Sequence, residues 1–200
     1  MDRRAFLMGT VGALVVAGSA RAQSALEFFM DAEEGNFRGP GSREVAPQYR
    51  PQDVDFDGNE QAGTIVIDVS ERFLYLVQGG GRARRYGIGV GREGFAWTGR
   101  AYVGRKSEWP TWTPPPAMIR RQPELREYAG GMPGGPQNPL GARAMYLYRG
   151  GSDTLYRIHG TNAPWTIGQA VSSGCIRMVN EHVEDLYERV PVGTRVVVRA

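Results

Sequence analysis

The sequence predicts an α+β domain, mostly β, over residues 63–200. Three observations point there. Short segments rich in β-branched and aromatic residues recur at 64–69, 73–77, 101–105, 144–148, 155–159 and 194–198. Glycine (28) and proline (13) are abundant for 200 residues, which suits many turns between short strands. Only the stretch after Asn180 sets apolar residues (Val183, Leu186, Tyr187, Val190) on one face of a sustained helix.

Taken in order, Thr64-Ile65-Val66-Ile67-Asp68-Val69 opens the domain as a strand. Phe73-Leu74-Tyr75-Leu76-Val77 follows as the second, and Gly79-Gly80-Gly81 turns into a third running through Tyr86 and Val90. Another strand at 101–105 leads into the Pro- and Trp-rich segment EWPTWTPPPAM, where Trp109 and Trp112 are candidates for a cleft wall or lid, or for core packing. A short helical patch is expected near 123–128. Gly150-Gly151 then joins 144–148 and 155–159 as a hairpin. Asn180 is positioned to cap the closing helix, Pro191 and Gly193 end it, and 194–198 closes the domain as a strand.

Before this domain lie two segments of different character. Residues 1–22 carry a charged head (Asp2, Arg3, Arg4), an apolar run from Phe6 to Gly18, and the small-x-small triplet Ala20-Arg21-Ala22. This is the layout of a secretory signal peptide, with an apolar run too short to span a bilayer. Arg3-Arg4 followed by Phe6-Leu7 resembles a twin-arginine export signal. The expectation is an exported protein of the periplasm or cell envelope, with no membrane span once the signal is removed. Residues 23–62, with Gly39-Pro40-Gly41, Pro47 and Pro51 and no sustained period, read as an extended linker or arm.

Charge excludes one class of partner. The full chain carries 24 basic and 21 acidic residues. Without residues 1–22 it has 21 basic and 20 acidic residues, a net charge of +1, so there is no electrostatic case for nucleic acid. The single cysteine, Cys175, cannot form an internal disulfide. A free thiol in an oxidising compartment is a liability, which argues for a use.

That use is suggested by two segments, RIHGTNAPWTIG at 157–168 and AVSSGCIRM at 170–178. His159 ends a predicted strand, and Cys175 lies 16 residues on, beyond a tight Gly/Asn/Pro loop. A thiol with an ordinary pKa is only about 3% thiolate at pH 7. An imidazolium beside it that lowers that pKa to roughly 6 gives about 30-fold more nucleophile. The same imidazole can protonate a leaving amine. Gly174 lets the backbone bend so that the N–H groups at 174–175 can face an oxyanion.

Together IHGTN and SGCIRM resemble the signature of the L,D-transpeptidase catalytic domain family (YkuD-like, ErfK/YbiS-type), and the resemblance runs from about Gly63 to Val198. It implies a β-sandwich of two mixed sheets with short helices. It also implies peptidoglycan stem peptides as substrates and no metal or organic cofactor. Cys175 matches the nucleophile, His159 the acid–base, and Gly160 the residue whose carbonyl orients the imidazole. Arg177 falls near the donor peptide, where its fork suits a substrate carboxylate. The thioester passes to a second stem peptide, giving a 3→3 crosslink, or to a lysine of an envelope protein. A carbapenem is expected to acylate the same cysteine. Many members read Ser-His-Gly-Cys where this chain has Ser172-Ser173-Gly174-Cys175, so Ser173 replaces a second histidine and can only hydrogen bond. The alternatives are an L,D-carboxypeptidase or endopeptidase sharing the same thioester, and a non-catalytic cell-wall binding module. His182, the other histidine, is expected at the surface of the closing helix.

Overall fold

The computed structural model describes residues 45–91, 97–172 and 174–200. The predicted signal peptide and most of the predicted linker, as well as Ser173, lie outside the described residues.

Eleven strands are present among these residues. They are β1 (Gln52–Asp55), β2 (Ile65–Asp68), β3 (Phe73–Gly79), β4 (Arg82–Gly87), β5 (Val90–Gly91), β6 (Gly99–Glu108), β7 (Arg143–Arg149), β8 (Ser152–His159), β9 (Ala170–Ser172), β10 (Ile176–Arg177) and β11 (Arg195–Arg199). Nine of them form one mixed sheet in the order β1-β4-β3-β2-β11-β6-β7-β8-β10, while β5 and β9 form a small parallel pair. Two helices, α1 (Pro116–Arg121) and α2 (Asn180–Arg189), and a 3₁₀ turn at Pro123–Tyr128 complete the α part.

The expected sandwich is built by bending this large sheet. The first residues of the ten-residue β6 pair with β11 and the rest with β7, with a register shift between Val103 and Arg105. Ile65 and Leu74 from one half therefore share a core with Met145, Leu147 and Ile158 from the other. β2 is buried along Ile65–Ile67, as a central strand flanked by β3 and β11 must be. Helix α2 closes the core with Val183 and Leu186, both fully buried. Burying side chains of this size stabilises by about 1.5–3 kcal/mol each.

The described part of the predicted linker is not loose. A 3₁₀ turn at Pro47–Tyr49 leads into β1, which pairs antiparallel with β4 from Gln52↔Arg85 to Asp55↔Arg82. Phe56 is buried against Val66, Val77 and Ala83, with Tyr75 alongside. The sequence hid this because β1 is short, polar and an edge strand. Its contribution is backbone pairing plus ion pairs from Asp55 to Arg82 and Asp53 to Arg84, not an apolar period. Tyr49 further anchors the segment on the Phe73 ring, with centroids 5.6 Å apart.

Candidate active site

Strands β8 and β10 run parallel, with Ile176 opposite Ile158 and Arg177 opposite His159. Ile158 and Ile176 both point into the core. Because side chains alternate along a strand, His159, Arg157 and Arg177 take the other face. Cys175 immediately precedes β10, so the same register carries it to the level of Arg157, diagonal to His159. Such diagonal neighbours have Cβ atoms no more than about 7–8 Å apart, within reach of side chains. The 15 residues between His159 and Cys175 thus return the chain so that Cys175 lies diagonal to His159 across the β8–β10 pair.

The thiol is half-buried. Its Sγ stands 4.0 Å from the Leu155 carbonyl oxygen. Leu155 adopts a left-handed backbone (φ 65°), unusual for leucine, and its N–H donates to Asp153 Oδ1 at 2.8 Å. That twist sits in the irregular stretch of the β7–β8 hairpin, where the register shifts between Tyr146 and Tyr148.

His159 is buried, and its Nδ1 lies 2.6 Å from the Gly160 carbonyl oxygen. A carbonyl can only accept, so this bond assigns the proton to Nδ1 and leaves the lone pair on Nε2. The strand end is fixed by the Gly160 N–H donating to the Arg143 carbonyl (3.0 Å) and the Met178 N–H donating to the His159 carbonyl (2.8 Å).

Electrostatics set a resting state unlike the imidazolium the sequence suggested. Burial first, then the charges of Arg177 and Arg157, push His159 down to about 3, with the Gly160 bond opposing. Burial pushes the Cys175 thiol up, against the Arg157 backbone N–H and the Arg157 and Arg177 charges. The resting pair is therefore neutral imidazole and protonated thiol. Burial is the main reason for both states; the two guanidiniums add to it at His159 and oppose it at Cys175.

The two arginines differ. Arg157 is held by both carboxylate oxygens of Asp153, each contact 3.0 Å, and lies 4.6 Å from the Tyr146 ring centroid. Arg177 pairs with no carboxylate among the described residues. Burial pushes its guanidinium below the usual range, and its backbone exchanges two 2.9 Å bonds with Gly89. Arg157 escaped the sequence reading, although its position two before His159 on a strand was a usable signal.

Around Cys175 the expectation of paired N–H donors needs one correction. The Gly174 N–H donates to Ser172 Oγ at 3.1 Å, while that hydroxyl donates to the Cys175 carbonyl at 2.7 Å. The Gly174 amide is thus taken by the buried Ser172 and is not available to an oxyanion. What Gly174 supplies is its backbone, with φ 116°, a value that L side chains rarely adopt.

The remaining candidates sort plainly. Asn162 donates from Nδ2 to the Gln137 carbonyl at 2.9 Å and ties the stretch before β7 to the loop after His159. Trp109 is 45% exposed, and its N–H donates to the Ala142 carbonyl, whereas Trp112 pairs with Met132. His182 is half-buried rather than a surface residue, and burial lowers its pKa. Asn180 does not cap α2: Val179 takes the cap position, and the Asn180 side chain turns to the chain around His159. Among the described residues no group of three or more His, Cys, Asp or Glu is placed to hold a metal ion, and no helix is long and apolar enough to cross a membrane.

Residues 62–198 match the model of the YkuD family, described as the L,D-transpeptidase catalytic domain. Two Escherichia coli K12 proteins are similar to this chain. The one named Probable L,D-transpeptidase ErfK/SrfK is 42% identical over 137 residues, covering 66% of this chain and 42% of that protein. The one named Probable L,D-transpeptidase YbiS is 38% identical over 151 residues, covering 73% and 47%. This chain thus spans less than half the length of either relative. A crystal structure from Brucella melitensis, titled a probable carnitine operon oxidoreductase, is 55% identical with a TM-score of 0.54 and covers 78% of this chain and 96% of its own.

Proposed function

The chain belongs to the L,D-transpeptidase catalytic domain family, and from that premise we propose that it cleaves and rejoins peptidoglycan stem peptides through a Cys175 thioester. The observation that carries the reading is the shared face of β8 and β10. There a buried imidazole ends β8 and the thiol immediately precedes the neighbouring β10, and the Nδ1–H bond to Gly160 leaves Nε2 free to take a proton.

The reaction runs in two halves. Nε2 of His159 takes the thiol proton as the sulfur attacks the carbonyl joining the L-centre of diaminopimelate to the terminal D-alanine. The C–N bond breaks, and D-alanine leaves as an amine carrying the proton returned by His159. In the second half an amine attacks the thioester, His159 takes its proton, and the sulfur leaves and is reprotonated. With the side-chain amine of a second stem peptide this makes a 3→3 crosslink; with an envelope protein's lysine it makes an attachment.

The neutral resting pair suits this sequence, because proton transfer is then coupled to attack and water meets no standing thiolate. Arg177 receives a carboxylate of the donor peptide. The Cys175 N–H serves the oxyanion, and Ser173 contributes at most a hydrogen bond. The work is done in the cell envelope after export. A hydrolase reading shares every residue and differs only in the acceptor.

Incubating the chain and its Cys175→Ala variant with a purified disaccharide-tetrapeptide, with products read by mass spectrometry, tests this. Release of D-alanine by the wild type alone, with peptide dimers, is the expected result. Tripeptide without dimers would move the assignment to hydrolysis. D-alanine retained in both samples would leave a binding module.

A further inference from the structure

One side-chain oxygen grips the chain on both sides of the catalytic histidine. Asn180 Oδ1 accepts the Ala142 N–H at 3.0 Å and the Thr161 N–H at 3.2 Å. The Thr161 N–H and the Gly160 C=O are the two ends of one peptide unit. That unit is planar and trans, so its oxygen and hydrogen point in opposite directions. One end receives the His159 Nδ1 proton at 2.6 Å, and the other donates to Asn180. The plane cannot rotate about its Cα–Cα axis without breaking both bonds.

The surroundings are shaped to admit this oxygen. A Cβ on Gly160 would run into Asn180 Oδ1, and so would a Cβ on Gly141. The second amide held, that of Ala142, adjoins Arg143, whose carbonyl accepts the Gly160 N–H at 3.0 Å. Asn180 itself stands on the first turn of α2, a helix anchored in the core by Val183 and Leu186.

Resting on the reading that His159 is the base, we propose that Asn180 is a positioning residue. It fixes the Gly160–Thr161 peptide plane and thereby sets the His159 tautomer with Nδ1 protonated and Nε2 free. The role needs an acceptor and nothing else, because both groups that Asn180 Oδ1 holds are donors. Aspartate can therefore fill it, whereas leucine, close in size, and serine, too short to reach both amides, cannot.

The test reads the tautomer and the turnover separately. Long-range ¹H–¹⁵N spectra of the full chain report which ring nitrogen carries hydrogen, and with only two histidines the His182→Gln variant assigns the signals. In wild type and Asn180→Asp, Nδ1 of His159 should be protonated. In Asn180→Leu and Asn180→Ser the signal should shift to a mixed or Nε2–H form. D-alanine release should show kcat falling about 10- to 100-fold in Leu and Ser with KM little changed, and staying within about threefold in Asp, as expected for an impaired base. A folded Leu or Ser variant that kept the wild-type tautomer would overturn the proposal, and so would loss of that tautomer in Asp. If Leu unfolds, Ser and Asp still decide. Wild type that released no D-alanine would overturn the functional reading, while the spectra would still judge Asn180.

Discussion

Arg177 is the register partner of His159 across the parallel β8–β10 pair, so a guanidinium with no carboxylate partner among the described residues lies beside the buried imidazole. This neighbour does two jobs of opposite sense. Its charge disfavours the imidazolium form of His159, and it lowers the cost of a thiolate on Cys175. It is also the group best suited to meet an anionic substrate.

Removing that charge should therefore move the acid limb of activity. With Arg177→Gln the imidazolium loses a repelling neighbour, so the His159 pKa rises from about 3 toward its ordinary 6.5. Below neutral pH more of the base is then protonated and idle. The acid limb of kcat/KM should shift to higher pH, and KM for a carboxylate-bearing peptide should rise. An acid limb unchanged from wild type would remove Arg177 from this role.

A thiol raised by burial should be slow to react with small electrophiles. The iodoacetamide alkylation rate of Cys175, followed by intact mass, should keep climbing through pH 8.5 and above. It should also be little affected by His159→Gln, since no standing imidazolium supports the thiolate. A plateau reached below pH 7 and abolished by His159→Gln would restore the ion-pair state that the motif alone suggested.

These contrasts show what a sequence displays. The long strands and the closing helix were legible, because each depends on local pattern. β1 was not, since a polar edge strand is made by its partner β4, 30 residues away. Strands β5, β9 and β10 have two or three residues each and exist only as pairings. Ser172, Arg157 and Asn180 escaped for a related reason. Their partners are backbone groups or side chains whose placement is decided by the tertiary fold, and an asparagine before a helix looks like a cap wherever its oxygen goes. Protonation states were misjudged because burial and two arginines, not the motif, set them.

Ser172→Ala should loosen the loop that carries Cys175. The hydroxyl accepts the Gly174 N–H and donates to the Cys175 carbonyl. Its loss leaves buried groups without partners, at a cost of about 1–3 kcal/mol. Urea unfolding should show that loss, and kcat should fall more than KM changes, since the thiol's own backbone is released. A variant as stable and as active as wild type would mean that this bonded pair is incidental.

Acid should destabilise the fold through His159 in a definable window. Its folded pKa, about 3, lies below the 6.5 of the unfolded chain. Between those values the unfolded state binds a proton that the folded state refuses, so stability falls as pH falls, by about 1.4 kcal/mol per pH unit for one such proton. Above pH 7 this group adds no pH dependence. His182 acts in the same direction, because burial lowers it too, so the comparison is best made in a His182→Gln background. Asp185 enters only below 3.8: burial raises it, but bonds from Arg189 and Tyr86 outweigh that and hold it low. Urea midpoints measured from pH 7 to 4 should therefore fall more steeply in His182→Gln than in the His159→Gln, His182→Gln double variant. Equal slopes would mean that His159 takes up its proton in the folded chain near 6.5, and the neutral, buried base would have to be abandoned.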